Sequence, residues 1–382
     1  MKIIILVSHP IQYHSPLFSF LASQSNISLN VFYTCKVADS SQVDRDFGIE
    51  TNWNIDLYEG YQYAFINQIS NIIEEITKQN PSILLIFGWK RYTHMRIMRY
   101  FKGKIPIVFR GDSTSIDDYD RTEISKFVRY TLLSWVYKYV DFVLSPGSAS
   151  DLYFKKSGLS DSRIIRAKHA VNNSYFSTFS IQDASALEGL RKGLAIQENE
   201  VVFIFAGKFI LKKNPLFLID AFAELSSELN NLRLILVGDG ILKPEIQKKV
   251  NGLNPSIASR IVIMSFQDQN QMKVIYRLAD IFILPSKGPE ETWGLSVNEA
   301  LASGIPVLVS SKCGCAYDLV IEGVNGYTFE SDNKSDLKNK MKILSDYSLR
   351  KYIASQTIHS IQDFSFNSFK KALDHIIDTF EN

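Results

Sequence analysis

Two doubly wound α/β domains in succession are the architecture this sequence predicts. The prediction rests on the length, on short apolar runs alternating with helical patterns, and on a polar stretch that splits the alternation into two series. At 382 residues the chain exceeds what one hydrophobic core ordinarily serves. Apolar runs at residues 3–7, 29–33, 83–87, 107–109 and 142–145 form the first series. Residues 201–206, 232–237, 260–264, 281–284, 307–309 and 327–329 form the second. Continuous Val, Ile and Leu runs between helical patterns mean parallel strands covered on both faces. Residues 172–200 are polar and carry no strand run, which puts the domains at 1–178 and 179–364. Beyond them, Phe369, Leu373, Ile376, Ile377 and Phe380 recur at helical spacing, so 365–382 is expected to be a helix returning to the first domain.

Composition narrows the function classes. Apolar residues make up 46% and charged residues 21%, a globular mixture. With 42 basic against 40 acidic side chains the net charge is only +2, so no nucleic-acid partner is expected. The three cysteines, Cys35, Cys313 and Cys315, argue against a disulfide scaffold and for a reducing compartment. Cys313 and Cys315 lack a second cluster at zinc spacing, and loop packing is their expected role. The apolar start, closed by His9-Pro10, is too short for a signal peptide or a membrane span. The expected location is cytoplasmic, with at most a peripheral contact at the inner face of a membrane.

The most informative stretch is Glu291-Thr-Trp-Gly-Leu-Ser-Val-Asn-Glu299. Upstream, the apolar run 281–284 ends at Pro285-Ser286; downstream, 295–303 has the spacing of a short helix stopped by Gly304 and Pro306. Glu291 therefore falls on a loop at a strand's carboxyl end, and Glu299 about one turn into the helix. In an open α/β sheet that edge is where ligands bind. A helix start offers free N–H groups and a positive dipole end, which suit phosphate, whereas carboxylates suit hydroxyls. A phosphate cradle beside two hydroxyl-binding acids describes a nucleotide sugar.

Other elements are expected to reach the same edge. Ala206-Gly207-Lys208 closes the second domain's first strand, and Lys212-Lys213-Asn214-Pro215 precedes a helix. Gly207 is expected to permit a tight turn, and the lysines to meet phosphate oxygens. Val237-Gly238-Asp239-Gly240 is a second glycine turn, ordinary by itself, expected to shape the wall beside a nucleotide. Phe266 is either core or a platform for a base.

These residues, together with Ala279-Asp280, Glu299-Ala300 and Gly304-Ile-Pro306-Val, resemble the family 4 glycosyltransferases of GT-B fold. The resemblance covers essentially the whole chain, with its specific motifs mostly in the second half. It implies two Rossmann-like domains facing across a cleft, a nucleotide sugar in the second, and metal-independent transfer with retention. Glu291 and Glu299 match the family's E-x7-E motif, which implies sugar hydroxyls for the first and ribose for the second. Lys213 matches the phosphate lysine. Lys208 stands where arginine is usual, which keeps the charge without the bidentate fork. Gly294 and Leu295 are expected to offer backbone amides to the diphosphate or sugar. No cofactor is implied beyond the nucleotide-sugar co-substrate, UDP- or GDP-linked. The implied partner is a glycan or lipid-linked acceptor in surface polysaccharide assembly.

The first domain departs from the common pattern. After its first strand comes His9-Pro-Ile-Gln12-Tyr13-His14, similar to a subgroup with this loop, so Gln12, Tyr13 and His14 are expected to line the acceptor side. Where relatives carry a histidine, this chain has Arg110-Gly111-Asp112. Arginine is no base at ordinary pH, so Arg110 is expected to hold the acceptor or steady the leaving group's charge. Asp112 either pairs with Arg110 or touches the acceptor, and Trp89 is a candidate sugar platform. Asp117, Asp118 and Asp120 superficially resemble a metal motif, but acids before a helix also favour its dipole. The aromatic helix expected at 124–139 either rests on a membrane or packs on the sheet, and packing is favoured. Rival readings are an epimerase or hydrolase of nucleotide sugars and a non-catalytic binding protein. A dehydrogenase is disfavoured, because no Gly-x-Gly-x-x-Gly follows either first strand.

Overall fold

The computed structural model describes residues 1–35, 43–44, 49–50, 56–118, 121–288 and 291–381. Two compact units divide the chain: Met1–Ser41 with Ile55–Asn172 and Phe364–Asn382, and Gln42–Asn54 with Asn173–Asp363. In chain order the strands begin with β1 (Lys2–Val7) and β2 (Ser28–Tyr33). A two-residue antiparallel ribbon of β3 (Val43–Asp44) and β4 (Ile49–Glu50) follows. Then come β5 (Gln62–Phe65), β6 (Ile83–Phe87), β7 (Ile107–Arg110), β8 (Phe142–Ser145) and β9 (Ile164–Arg166). The first unit's sheet has the order β5-β2-β1-β6-β7-β8-β9, every pair parallel.

Alternation along β1 shows how this sheet is buried on both sides. Ile3 and Ile5 belong to a cluster with Phe18, Val31, Leu85 and five residues of the last helix, Phe369, Ala372, Leu373, Ile376 and Ile377. Ile4 and Leu6 face the other way, toward Ile72, Ile97, Leu133 and Phe154. The C-terminal helix Phe366–Glu381 thus completes the first unit's core, as its spacing predicts.

The second unit repeats the plan with β10 (Val201–Ala206), β11 (Leu232–Val237), β12 (Ile261–Met264), β13 (Ile281–Leu284), β14 (Val307–Ser310) and β15 (Gly326–Phe329). Its all-parallel order is β12-β11-β10-β13-β14-β15. Strand order reverses beside β10, which has its successor β11 on one side and β13 on the other. That crevice, at the carboxyl ends, is the topological switch point where ligands of such sheets bind. At the opposite end of the sheet, Asp280 accepts from Val202 N at 3.0 Å and from Arg350 Nε at 3.2 Å, a purely structural brace.

In the two parallel sheets the strands that escape the sequence reading are β5 and β9, both sheet edges; the short ribbon β3–β4 escapes it too. Gln62 and Tyr63 are exposed and β9 is only partly buried, so neither shows the apolar run of a central strand. The aromatic helix forms as Glu123–Tyr137, with the Thr122 side chain accepting from Ser125 N as its cap. Leu133, Val136 and Tyr137 pack into the core as expected. Ile124, Phe127, Val128, Leu132 and Trp135 do not, and lie exposed. The favoured packing role is therefore corrected to half of the helix.

Leu373→Ala would remove a fully buried side chain where the last helix meets β1. A loss of about 2–5 kcal/mol is expected, read as a fall in the denaturant midpoint of the first unit. An unchanged midpoint would show that the helix does not share that core.

Candidate active site

The second unit's switch point gathers two buried carboxylates. Glu291 is 6% and Glu299 6% exposed, a placement that costs free energy unless each is paired. Glu291 Oε2 lies 2.7 Å from Lys213 Nζ and accepts from Ser286 Oγ at 3.0 Å. Lys213 arrives from β10's side on the single 3-10 turn Leu211–Lys213, while Ser286 follows β13. Burial by itself would raise the Glu291 pKa. The Lys213 ammonium, helped by Lys212 and the Ser286 hydroxyl, outweighs it and holds Glu291 below the usual glutamate value. Glu299 Oε2 accepts from the buried Tyr276 hydroxyl at 2.7 Å.

The loop carrying Glu291 is fixed from two directions. Trp293 Nε1 donates to Asn298 Oδ1 at 2.8 Å, tying the loop to the helix Leu295–Ala302 that it opens. Gly294 precedes that helix at φ 101°, so the first free amides follow Glu291 directly. From the other side, Gly314 N donates to Glu291 O at 3.0 Å and Cys315 N to Trp293 O at 3.1 Å. A side chain at Gly314 would lie 1.7 Å from the Thr292 carbonyl oxygen, so only glycine permits this approach. Cys313 and Cys315 are buried free thiols whose pKa values burial pushes up, which makes them packing groups of this strap.

Placement of the remaining donor-side residues refines the sequence expectations. Lys208, half-buried, follows β10 at the same edge. Gly207 has no positive φ; the close approach belongs to Gly238, where a Cβ would stand 2.0 Å from the Gly207 carbonyl oxygen. The tight-turn role is thereby transferred from Gly207 to Gly238. Phe266 is half-buried beyond β12, its amide donating to Asp239 Oδ2 at 3.3 Å. Leu295, partly buried, is the first residue of the helix. Ser286 and Tyr276 were not anticipated. Hydroxyls leave no pattern in a sequence that marks them as partners of a distant acid.

The first unit carries its own polar cluster at the carboxyl ends of β1, β6 and β7. A cavity of about 270 Å³ is lined by Ser8, Trp89, Arg91, His94, Asp112 and Ser113 among others. Trp89 and Asp112, the candidate sugar platform and acceptor contact, both line it. Gln12, Tyr13 and His14 are not in its wall, although the His14 ring lies 4.6 Å from Phe87, which is. Asp112 Oδ1 sits 3.2 Å from His169 Nε2 and 4.0 Å from Arg110 Nε. Desolvation opposes its charge, but His169 and Arg110 prevail and hold the carboxyl well below the usual range. His169 follows β9, and because that edge strand is not evident in the sequence, neither is the histidine beyond it.

Arg110 requires a correction. Its side chain is buried, donates to Leu144 O at 3.1 Å and to Ala167 O at 2.6 Å, and stacks near Phe369. A guanidinium committed to two carbonyls braces β7 against its neighbours and is not poised for catalysis. Of the acidic run, Asp118 is buried against Tyr130 and Arg129. Asp120 and the Asp117 side chain lie outside the described residues.

His14 gives this unit a pH dependence. Burial, with the charges of His169, Arg110 and His9, lowers its pKa to about 4 against the opposing pull of Asp112. Above about pH 6.5 both folded and unfolded forms are neutral. Below it the unfolded chain binds the proton first, so stability falls until about pH 4. His14→Asn is expected to reduce this acid loss by about 3 kcal/mol, measured as the difference in denaturation free energy between pH 7 and pH 4. An identical loss in both proteins would mean that His14 is not held neutral.

The chain is similar to the lipopolysaccharide 1,2-N-acetylglucosaminetransferase of Salmonella typhimurium, 34% identical over 154 residues, 39% of this chain and 40% of that protein. It is also similar to the alpha-monoglucosyldiacylglycerol synthase of Acholeplasma laidlawii, 30% identical over 149 residues, 39% of this chain and 36% of that protein. The chain therefore spans less than half the length of these curated relatives. Among solved structures, Anabaena Alr3699/HepE in complex with UDP superposes with a TM-score of 0.77 at 17% identity, covering 99% of this chain and 100% of that one. The fold is that of the GT-B glycosyltransferases, two parallel-sheet Rossmann-like domains. Residues 188–359 match the family model described as glycosyl transferases group 1, a stretch holding β10 to β15 and with them Lys213, Glu291 and Glu299.

Proposed function

We propose that the protein is a retaining glycosyltransferase that moves a sugar from a nucleotide diphosphate to a glycan or lipid-linked acceptor. The observation carrying this reading is the Lys213–Glu291 pair at the switch point, with the opening of the helix Leu295–Ala302 beside it. The family match over the same residues and the UDP bound by the similar Anabaena protein support a nucleotide-sugar donor.

The pair explains how donor binding is linked to catalysis. Without ligand, Lys213 and Glu291 neutralise one another. A diphosphate arriving at the helix start competes for Lys213, and Glu291 is released to accept from sugar hydroxyls while keeping Ser286. Glu299, steadied by Tyr276, takes ribose hydroxyls. When the bond from the anomeric carbon to the diphosphate oxygen breaks, negative charge grows on the leaving group. Lys208, Lys213 and the amides at Gly294 and Leu295 stabilise that charge more than the ground state's, without a metal. The acceptor oxygen bonds to the same face of the carbon and gives its proton to the departing phosphate oxygen. On the acceptor side, Trp89 and Asp112 in the first unit's cavity supply a platform and a hydroxyl partner.

Lys213→Ala is expected to lower turnover about 100- to 1,000-fold. Because Glu291 is then buried without its cation, the variant is also expected to lose about 3–5 kcal/mol of stability, so turnover is read on protein shown to be folded. Undiminished turnover would rule out the charge-stabilising role. UDP and GDP with their sugar conjugates are to be screened by thermal shift against wild type and Glu299→Ala. A nucleotide at about a hundred times its Kd adds roughly 2.7 kcal/mol, and Glu299→Ala is expected to lose most of it. Donor turned over at full rate without any acceptor would overturn transfer in favour of hydrolysis or epimerisation.

A further inference from the structure

The helix Glu123–Tyr137 in the first unit has two apolar faces and buries only one. Leu133, Val136 and Tyr137 enter the core, whereas Ile124, Phe127, Val128, Leu132 and Trp135 are 79%, 74%, 61%, 50% and 42% exposed. Their offsets of 3, 4, 8 and 11 from Ile124 place them on one stripe. So continuous an apolar stripe is not an ordinary exposed surface and marks a contact.

Cations surround it. Arg99, from the neighbouring helix Tyr92–Phe101, lies 5.9 Å from the Trp135 ring and 5.8 Å from that of Tyr139. Lys138 lies 5.5 Å and 5.0 Å from the same two rings. Lys104 sits over the exposed Tyr100 at 3.6 Å, and Lys156 is 6.0 Å from Tyr130. None of these four cations has a carboxylate within salt-bridge distance among the described residues. A groove of about 560 Å³ runs beside the helix, lined by Lys126, Phe127, Tyr130, Thr131, Ser134 and Lys156 among others. It sets hydroxyls, the Lys156 ammonium and the Lys126–Glu123 ion pair next to the apolar stripe.

We propose that this face docks on an anionic lipid bilayer, the stripe entering the headgroup boundary and the cations meeting lipid phosphates. Charge decides between a bilayer and a second copy of the chain. A two-fold contact would press Arg99, Lys104, Lys138 and Lys156, none salt-bridged among the described residues, toward their own copies, whereas an anionic surface complements them. Aromatic rings flanked by cations also match the headgroup region, where one end of the side chain is apolar and the other wet. No helix among the described residues is long and apolar enough to cross a membrane, so the contact is with the surface. The inference stands on the first unit's geometry and does not depend on sugar transfer.

The test is co-sedimentation of the full chain with vesicles of phosphatidylcholine, with and without phosphatidylglycerol. Wild type is expected to pellet with the anionic vesicles and to be released by salt. The double variant Phe127→Ser/Val128→Ser and the charge variant Arg99→Glu/Lys138→Glu are each expected to lower the partition coefficient about tenfold or more. Both change surface groups, and unfolding curves matching wild type establish that the variants are folded. Wild type remaining in the supernatant with both vesicle types would overturn the proposal. So would variants binding as wild type does, or a wild-type dimer in sedimentation equilibrium that Phe127→Ser/Val128→Ser converts to monomer.

Discussion

A parallel sheet buried on both faces leaves only its strand ends for chemistry, and that constraint organises both units. Along β10 and β13 no side chain is more than 7% exposed, and all are apolar. A charge within those strands would have neither water nor a partner. The functional groups of the second unit therefore lie on the loops beyond the carboxyl ends, where helix starts supply unpaired amides. Even there Glu291 and Glu299 are nearly buried, and the fold brings each a hydrogen-bond partner. Lys213 and Ser286 serve the first acid, and Tyr276 serves the second.

The two sheets share the order of six strands, with β9 added at the edge of the first, and they use the cations at their carboxyl ends differently. After β10 the second unit presents lysines that remain near the sheet edge. After β7 the first unit buries Arg110 against the Leu144 and Ala167 carbonyls, converting a cation into a brace. The negative partner left at that edge, Asp112, is held chiefly by His169. A guanidinium with several fixed donors suits bracing, whereas an ammonium on a flexible stem can exchange one oxygen partner for another. The proposed hand-over of Lys213 from Glu291 to a diphosphate uses that difference.

Positioning in the second unit depends on backbone as much as on charge. The segment around Gly314 lies across the Glu291–Trp293 loop and hydrogen-bonds to it at two points, at a distance no side chain would permit. With Trp293 anchored on Asn298, the loop is held at both its start and its end. Held in this way, the loop keeps Glu291 and the amides at the helix start in one fixed relation.

Much of this was legible in the sequence. Apolar runs located the central strands, because a strand buried on both faces must be apolar throughout. The placement of Glu291 and Glu299 around a Gly294 break, after a strand ending at Leu284, pointed to the carboxyl edge of the second sheet. The helical recurrence of Phe369, Leu373, Ile376 and Ile377 showed that the last segment has a core to join. What the sequence could not carry were properties that exist only between distant segments. The edge strands β5 and β9 lack a buried face on both sides, so their composition does not announce them, and His169 beyond β9 was hidden with them. Tyr276, Ser286 and Gly314 become site residues only by proximity. The fate of Arg110, and the solvent-facing half of the aromatic helix, were settled by which neighbours the packing brought near, since a guanidinium or a Phe reads the same in sequence whether buried or exposed.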